Sequence, residues 1–356
     1  MSLGIPGIGP VKEKILADAG YDTLENLKRA EFFDILRLPL FGYKSTYNMF
    51  LFLEKEFFYP SMLEITESKK ENVVIENKTI RPWAEFKKTD KVPVQPNDFK
   101  LEKTTVWSFP NRGDWASHTA QYRGNWSPRV VRNVIEMYSK PGDVVLDPMV
   151  GGGTTPVECL LLGRNSISSD INPGAISITK DRLTLPEDVI KDVPATEHRT
   201  YVGDIRNLDK ISSESIDLIA THPPYANIIK YAPSVDGDIS QINDYGLFFK
   251  EFSKAIKEFY RVLKPGAYCA ILIGDTHNKS HYVPISHRMM MDFLKCGFLL
   301  KEDVIKKEWN CESDRYLSKY AGSSFLLTMH EHLFIFRKPD GNFQNYKNSS
   351  IKFFEN

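Results

Sequence analysis

The sequence predicts an α/β fold built on a mostly parallel sheet, and three observations predict it. Apolar runs alternate with helical stretches from residue 104 onward. A glycine turn follows the first of those runs directly. Acidic residues then stand at the ends of successive runs, where ligands collect on such sheets.

The strands are expected at Val144–Leu146, Ser166–Ser169, Leu218–Ala220, Cys269–Ile273 and His332–Phe336. Helices are expected at Arg129–Tyr138, Thr155–Leu162, Gly174–Leu183, Phe248–Val262 and Pro284–Leu294. Strand and helix in this rhythm imply βαβ units. The chain has 356 residues, enough for one large domain and a small one. Its divisions read as 1–59, short helices with glycine punctuation; 60–103, a proline-bearing linker or arm; 104–340, the α/β domain; and 341–356, a polar tail.

Lys+Arg and Asp+Glu are both 46, which excludes a strongly cationic coat but not a local basic face. The four cysteines have no CxxC spacing, so reduced thiols in a cytoplasmic protein are expected. No carboxylate–histidine spacing suggests zinc, and no metal is expected. No apolar run is long enough to cross a membrane, and no membrane partner is expected.

Residues 144–155 read Val-Val-Leu-Asp-Pro-Met-Val-Gly-Gly-Gly-Thr-Thr. Glycines permit positive φ and close approach of a ligand to the backbone. The helix that follows offers unpaired N–H groups. Asp147, Pro148, Gly151, Gly153 and Thr154 are the candidate contacts of this loop. About twenty residues on, the second strand ends in Asp170 and Asn172, where a carboxylate can hold a ribose diol. A third acidic end is Asp204. The loop is not GxGxxG and has no Lys, which excludes a dinucleotide fingerprint and a P-loop. A ligand with ribose and adenine but no phosphate fits better, and S-adenosylmethionine is such a ligand. A tight turn without a ligand is the plain alternative.

The fourth strand ends in Ala220-Thr221-His222-Pro223-Pro224-Tyr225. Here the sequence resembles the amino-methyltransferases of nucleic acids, whose catalytic loop reads (Asp/Asn/Ser)-Pro-Pro-(Tyr/Phe). Thr105–Pro110, Tyr122–Pro128, the glycine loop, Arg261–Gly266, Ile273–Asp275 and His330–Pro339 look like one branch of the DNA methylases. The resemblance covers about 104–340. It implies a Rossmann-like class I methyltransferase sheet of seven strands with helices on both faces. It also implies a cofactor role for Trp126, Ser127 and Pro128.

An exocyclic amine is a poor nucleophile because its lone pair is delocalised into the ring. Acceptors aimed at its N–H groups localise that pair. Successive prolines rigidify the loop and present carbonyls without competing donors. Tyr225 can stack on a flipped base. The first loop position, Ser or Asp in most relatives, is His222 here. Two readings stand: its neutral imidazole accepts the amine proton, or it turns away and backbone carbonyls do the work. Thr221 follows the Thr-Ser-Pro-Pro-Tyr style, which favours cytosine N4 over adenine N6. An RNA base is the alternative substrate. A regulator with an inactive methyltransferase fold and a protein-amide methyltransferase are further rivals.

DNA is the expected partner, and a cognate restriction endonuclease is the expected companion. The segments 226–245, 276–282 and 308–324 are polar and aromatic-bearing, which suits base recognition, with Lys307 and Arg315 as candidate contacts. At the other end, Gly4–Lys12 resembles the hairpin of a helix-hairpin-helix motif, a small all-α module, with a degenerate copy at Leu38–Lys44. Gly7, Gly9 and Lys12 are its candidate phosphate contacts. A packing role is the alternative, since acidic and basic residues nearly balance there.

Overall fold

The computed structural model describes residues 3–55, 58–67, 71–75, 78–82, 93–185, 193–225, 235–278, 281–309 and 326–341. Four short helices come first: α1 (Pro10–Asp18), α2 (Leu24–Arg29), α3 (Phe32–Leu36) and α4 (Tyr43–Phe52). Then come β1 (Leu63–Glu64), the hairpin β2 (Val73–Ile75) and β3 (Lys78–Ile80), and β4 (Val106–Ser108). The α/β part follows as α5 (Pro128–Tyr138), β5 (Val144–Asp147), α6 (Thr154–Leu161), β6 (Asn165–Asp170), α7 (Pro173–Leu183), β7 (His198–Val202) and β8 (Ile216–Thr221). It continues with α8 (Tyr245–Val262), β9 (Leu263–Ile273), the ribbon β10 (Thr276–Asn278) and β11 (His281–Val283), α9 (Ile285–Cys296), β12 (Leu299–Lys307) and β13 (His330–Arg337).

The main sheet runs β1-β7-β6-β5-β8-β9-β13-β12-β4. The ladders β7-β6-β5-β8-β9 are parallel, and β13 is antiparallel to both its neighbours. Nine strands replace the seven expected, because β1 and β4 add one short edge each. All five expected strands and all five expected helices are present, with ends within about three residues of those predicted except that β9 begins at Leu263 instead of Cys269.

Helices cover both faces, and side-chain alternation along the strands shows it. Leu146, Ile219, Ile271 and Phe334 share a core with α8 and α9. Their neighbours Val145, Leu218, Ala270 and Leu333 share another with α5. Ser127 caps α5 by accepting from the Arg129 N–H at 3.3 Å, and Pro128 opens that helix. Asn172 caps α7 in the same way, with Pro173 following.

The N-terminal helices sit on the α8 face. Leu16, Leu27, Phe32, Ile35 and Phe50 belong to the same buried cluster as Phe248 and Phe252 of α8. They therefore share a core with the sheet. The stretch read as a linker contributes β1 to the sheet through β7. Thr23 caps α2, accepting from Asn26 N at 3.1 Å. Among the described residues, no helix is long and apolar enough to cross a membrane.

A cofactor cleft and an adjoining cavity at the strand ends

The glycine loop leaves β5 and enters α6. Gly151 and Gly153 have φ of +51° and +82°. A Cβ on Gly151 would stand 2.9 Å from the Tyr122 ring, and one on Gly153 would stand 3.0 Å from Thr179 Cα. Only glycine lets the loop lie this close to its surroundings. Gly151 N donates to Asp170 Oδ2 at 3.0 Å, and Asn172 N donates to Asp170 Oδ1 at 2.9 Å. The end of β6 thus holds the loop after β5. Burial pushes the Asp170 carboxyl up to about 7.

Asp147 does a different job. It accepts from Thr155 Oγ1 at 2.5 Å and from Thr221 Oγ1 at 2.7 Å, tying the glycine loop to the end of β8. Burial pushes its carboxyl up to about 6. Thr221, whose identity favoured cytosine, is fully buried and spends its hydroxyl on Asp147. Its side chain therefore serves the join between two strands.

Around these groups lies a cleft with about 740 Å³ of empty space, open solvent at its mouth included. Small-molecule sites span roughly 300–1,000 Å³. Trp126, Asp147, Gly151, Asp170, Asn172, Asp204, His222 and Pro224 line it. Asp238 and Ile239 line it as well. Pro148, Gly153, Thr154, Pro223, Ser127 and Pro128 are not part of the lining. Gly153 and Thr154 shape the turn into α6.

Asn125 was not among the expected cofactor residues. Its Oδ1 accepts from Gly152 N at 3.0 Å. Its Nδ2 is buried with no hydrogen-bond partner among the described residues. A buried amide donor that lines the cleft fits the carboxylate of a methionine moiety. Arg206 was also missed. It pairs with Asp204 at 2.6 Å and Glu251 at 2.6 Å, all three side chains buried.

His222, Gly124, Asn125 and Trp126 form a partition shared with a second cavity. That cavity has about 1030 Å³ of empty space, again counting open solvent. Its other walls include Phe109, Arg112, Ser127, Lys306, Lys307, Glu308, Trp309 and Glu331. Lys307 Nζ stands 4.0 Å from the Trp309 ring centroid. Arg315 lies outside the described residues.

In the Pro-Pro loop, Tyr225 Oη is 2.5 Å from His222 Nε2 and donates to Glu331. A Cβ on Gly274 would meet the Tyr225 ring at 2.6 Å, so the ring lies against that backbone. Burial lowers the His222 imidazole to about 4, against an opposing pull from Glu331. The ring is neutral at ordinary pH.

A profile of the N6/N4 class, described as DNA methylase, matches residues 25–181 and 216–354. The chain belongs to the DNA methylase family. The cofactor of this family is S-adenosylmethionine, in keeping with the cleft. Over 174 residues the chain is 28% identical to the type II methyltransferase M.MjaI of Methanocaldococcus jannaschii, covering 40% of this chain and 56% of that protein. Over 88 residues it is 40% identical to M.MjaII of the same organism, covering 24% of this chain and 17% of that protein. It is 27% identical over 133 residues to the DNA adenine methyltransferase YhdJ of Escherichia coli, covering 36% and 44%. The chain thus spans about half or less of these relatives' lengths. A solved S-adenosylmethionine-dependent methyltransferase from Methanosarcina mazei aligns with 58% of this chain and 97% of its own, at 17% identity and a TM-score of 0.40.

In this family member one further cluster stands near the strand ends. Asp275, His287 and His332 bring ligand-type atoms within 4.8 Å of one another. Hydrogen bonds already engage its members, His287 Nδ1 lying 3.1 Å from Ser286 Oγ. Asp275 accepts from Ser286 N and Ser286 Oγ, both at 2.7 Å, at the start of α9. His332 Nδ1 is 3.0 Å from Asp303.

Proposed function

We propose that this member of the DNA methylase family transfers a methyl group from S-adenosylmethionine to an exocyclic amine of a flipped DNA base. One observation carries the reading. His222, the first residue of the loop His222-Pro223-Pro224-Tyr225, lines both the cleft, which Pro224 also lines, and a second cavity that has its own aromatic and cationic walls. Methyl donor and acceptor must meet at such a partition.

Asp170 would hold the ribose diol, Asn125 the methionine carboxylate, and Trp126, Asp204 and Gly151 the body of the cofactor. The bound cofactor supplies an electrophilic methyl on sulfonium sulfur. The chain supplies position: the proline carbonyls and His222 accept from the amine, and the two walls exclude water. Phe109 and Trp309 offer aromatic faces to the base, and Lys307 offers charge to the strand.

Cytosine N4 is the amine proposed, on the Thr-x-Pro-Pro-Tyr form of the loop. The type II names of two relatives support a place beside a restriction endonuclease. Gly7 and Lys12 line one groove with Gly42 and Lys44, which supports the phosphate-contact reading of the N-terminal hairpin, with Gly9 capping α1.

The test is methyl incorporation from labelled S-adenosylmethionine into duplex DNA, denatured DNA and ribosomal RNA, followed by nucleoside mass spectrometry. N4-methyldeoxycytidine from duplex DNA is the expected product. N6-methyldeoxyadenosine would keep the chemistry and overturn the base. Label confined to RNA would overturn the DNA assignment. No label in any of the three would overturn the function.

A further inference from the structure

The Tyr225 hydroxyl lies between two groups that both compete for its single hydrogen. One is His222 Nε2 at 2.5 Å, and the other is Glu331. A phenol donates once, so it must accept from the other neighbour. Which neighbour donates depends on whether Glu331 carries a proton.

Lys306 answers that. Its Nζ donates to Glu331 Oε2 at 2.9 Å and also reaches Glu308. Burial by itself would raise the Glu331 carboxyl, but Lys306, the Glu308 hydrogen bond, His222 and Tyr225 together hold it well below the usual carboxylate range. Burial and the neighbouring Glu331 raise the Glu308 carboxyl, so within this acidic pair the charge stays on Glu331, which Lys306 holds at 2.9 Å. Glu331 is therefore ionised and can only accept.

The hydrogen of Tyr225 then goes to Glu331. His222 must donate its own proton from Nε2 to the Tyr225 oxygen. The lone pair of the ring stays on Nδ1. That atom is buried and has no hydrogen-bond partner among the described residues. Against that, the Gly124 backbone comes close enough to the ring to favour its protonated form, so a proton on Nδ1 is the competing tautomer, whereas Lys306 and Arg112 oppose a charged ring.

We propose that Glu331 and Lys306, acting through Tyr225, are positioning residues that fix His222 as its Nε2–H tautomer and so keep Nδ1 as the proton acceptor for the target amine. The proposal rests on the methyl-transfer reading above. In the step, the amine nitrogen forms its bond to the methyl carbon while the sulfur–carbon bond breaks, with the electron pair left on sulfur. The nitrogen then carries a positive charge and passes one N–H proton to Nδ1. The imidazolium so formed is balanced by Glu331 through Tyr225, and its proton returns to solvent after product release. A base near 4 suffices, because an N-methylated exocyclic ammonium is a far stronger acid than imidazolium.

The test uses the full chain labelled with nitrogen-15 in its histidines. His222 signals are assigned by their loss in His222→Gln. Between about pH 6 and pH 8 the wild type is expected to show a protonated Nε2 and a bare Nδ1. Tyr225→Phe should shift these signals toward the opposite tautomer. Glu331→Gln should lower kcat about tenfold or more, with KM for nucleic acid and Kd for S-adenosylmethionine little changed. Lys306→Met should act in the same direction, and the wild-type tautomer needs no variant to fold. A protonated Nδ1 in an enzyme that does transfer methyl overturns this proposal alone. Unchanged tautomer and kcat in Tyr225→Phe and Glu331→Gln overturn it as well. A wild type that transfers no methyl overturns the reading beneath it.

Discussion

Arg206 donates to both carboxylate oxygens of Asp204, Nε to Oδ1 at 2.8 Å and Nη2 to Oδ2 at 2.6 Å. The same guanidinium donates to Glu251 at 2.6 Å and to the Gly237 carbonyl at 2.7 Å. Asp204 and Gly237 both line the cofactor cleft. Glu251 in turn accepts from Tyr43 of α4 at 2.6 Å. A helix near the N-terminus is thus wired into the wall of the cleft. Arg206→Met should leave the buried Asp204 carboxylate without its cation, while Glu251 keeps Lys254 at 2.6 Å, and should cost about 3–5 kcal/mol. Tyr43→Phe, which leaves Glu251 its other donors, should cost about 1 kcal/mol. Urea unfolding of the two variants checks the ranking, and equal losses would break the proposed hierarchy.

In the proposed site, Asp170 should make cofactor binding pH-dependent. Burial raises its carboxyl to about 7, so it is protonated in acid and ionised above neutrality. Two ribose hydroxyls would donate to the ionised form and pull that value down. Affinity should therefore be level above about pH 7 and weaken by up to about tenfold per pH unit below it. Calorimetry of S-adenosylmethionine binding across that range measures this, and a flat profile would remove Asp170 from the diol.

His222 should impose no such loss. Burial lowers its imidazole to about 4, so the neutral, accepting form persists down to about pH 5. With cofactor and nucleic acid saturating, kcat is expected to fall only below that point. A fall in kcat centred near pH 6.5, the ordinary histidine value, would show an imidazole that titrates freely.

Gly153 has φ of +82°, and a Cβ there would stand 3.0 Å from Thr179 Cα on α7. Backbone cannot yield as a side chain can. Gly153→Ala should cost about 1–2 kcal/mol for the left-handed conformation alone, and displacement of the loop should weaken cofactor binding further. Thermal unfolding and calorimetry on one sample separate the two effects.

Glu158 of α6 anchors the segment that carries Trp126. It is fully buried, accepts from Trp115 Nε1 at 2.7 Å and from Arg132 Nη1 at 2.9 Å, and lies 2.7 Å from His118 Nε2. Glu158→Ala should take the buried carboxylate from Arg132, Trp115 and His118, leaving Arg132 with Glu136 and Gln95, and cost about 3 kcal/mol. Glu158→Gln, which keeps most of the shape, should cost less. Denaturant midpoints order the pair.

The strands, the helices and the glycine loop were legible because each is written locally. Short continuous apolar runs such as 144–146, 218–220 and 269–273 mark the buried strands, and period-3.6 stripes mark α5, α8 and α9. The loop at 151–153 announces itself by composition. β12 was not legible: it carries Lys301, Glu302, Asp303, Lys306 and Lys307, because much of it faces solvent near the sheet edge. β1 and β4 are too short to leave a pattern. Of the residues read as cofactor contacts, Asp147 and Asp170 end β5 and β6 and Asp204 follows β7, yet Asp204 meets the cleft already paired to Arg206.

By itself, then, the sequence determined the α/β class, the glycine loop, the acidic strand ends and the Pro-Pro loop. Each follows from the period, composition or order of nearby residues. Only the tertiary structure decided who partners His222 and Asp204. Glu331 lies 106 residues from Tyr225, and Tyr43 lies 163 residues from Arg206. No periodicity links such pairs. They meet because β13 is laid beside β9, and β9 beside β8, and because α4 docks by its apolar side chains on the face that α8 covers. Hydrophobic burial is non-directional and sets that docking, and the hydrogen bonds of the site follow once the surfaces have met.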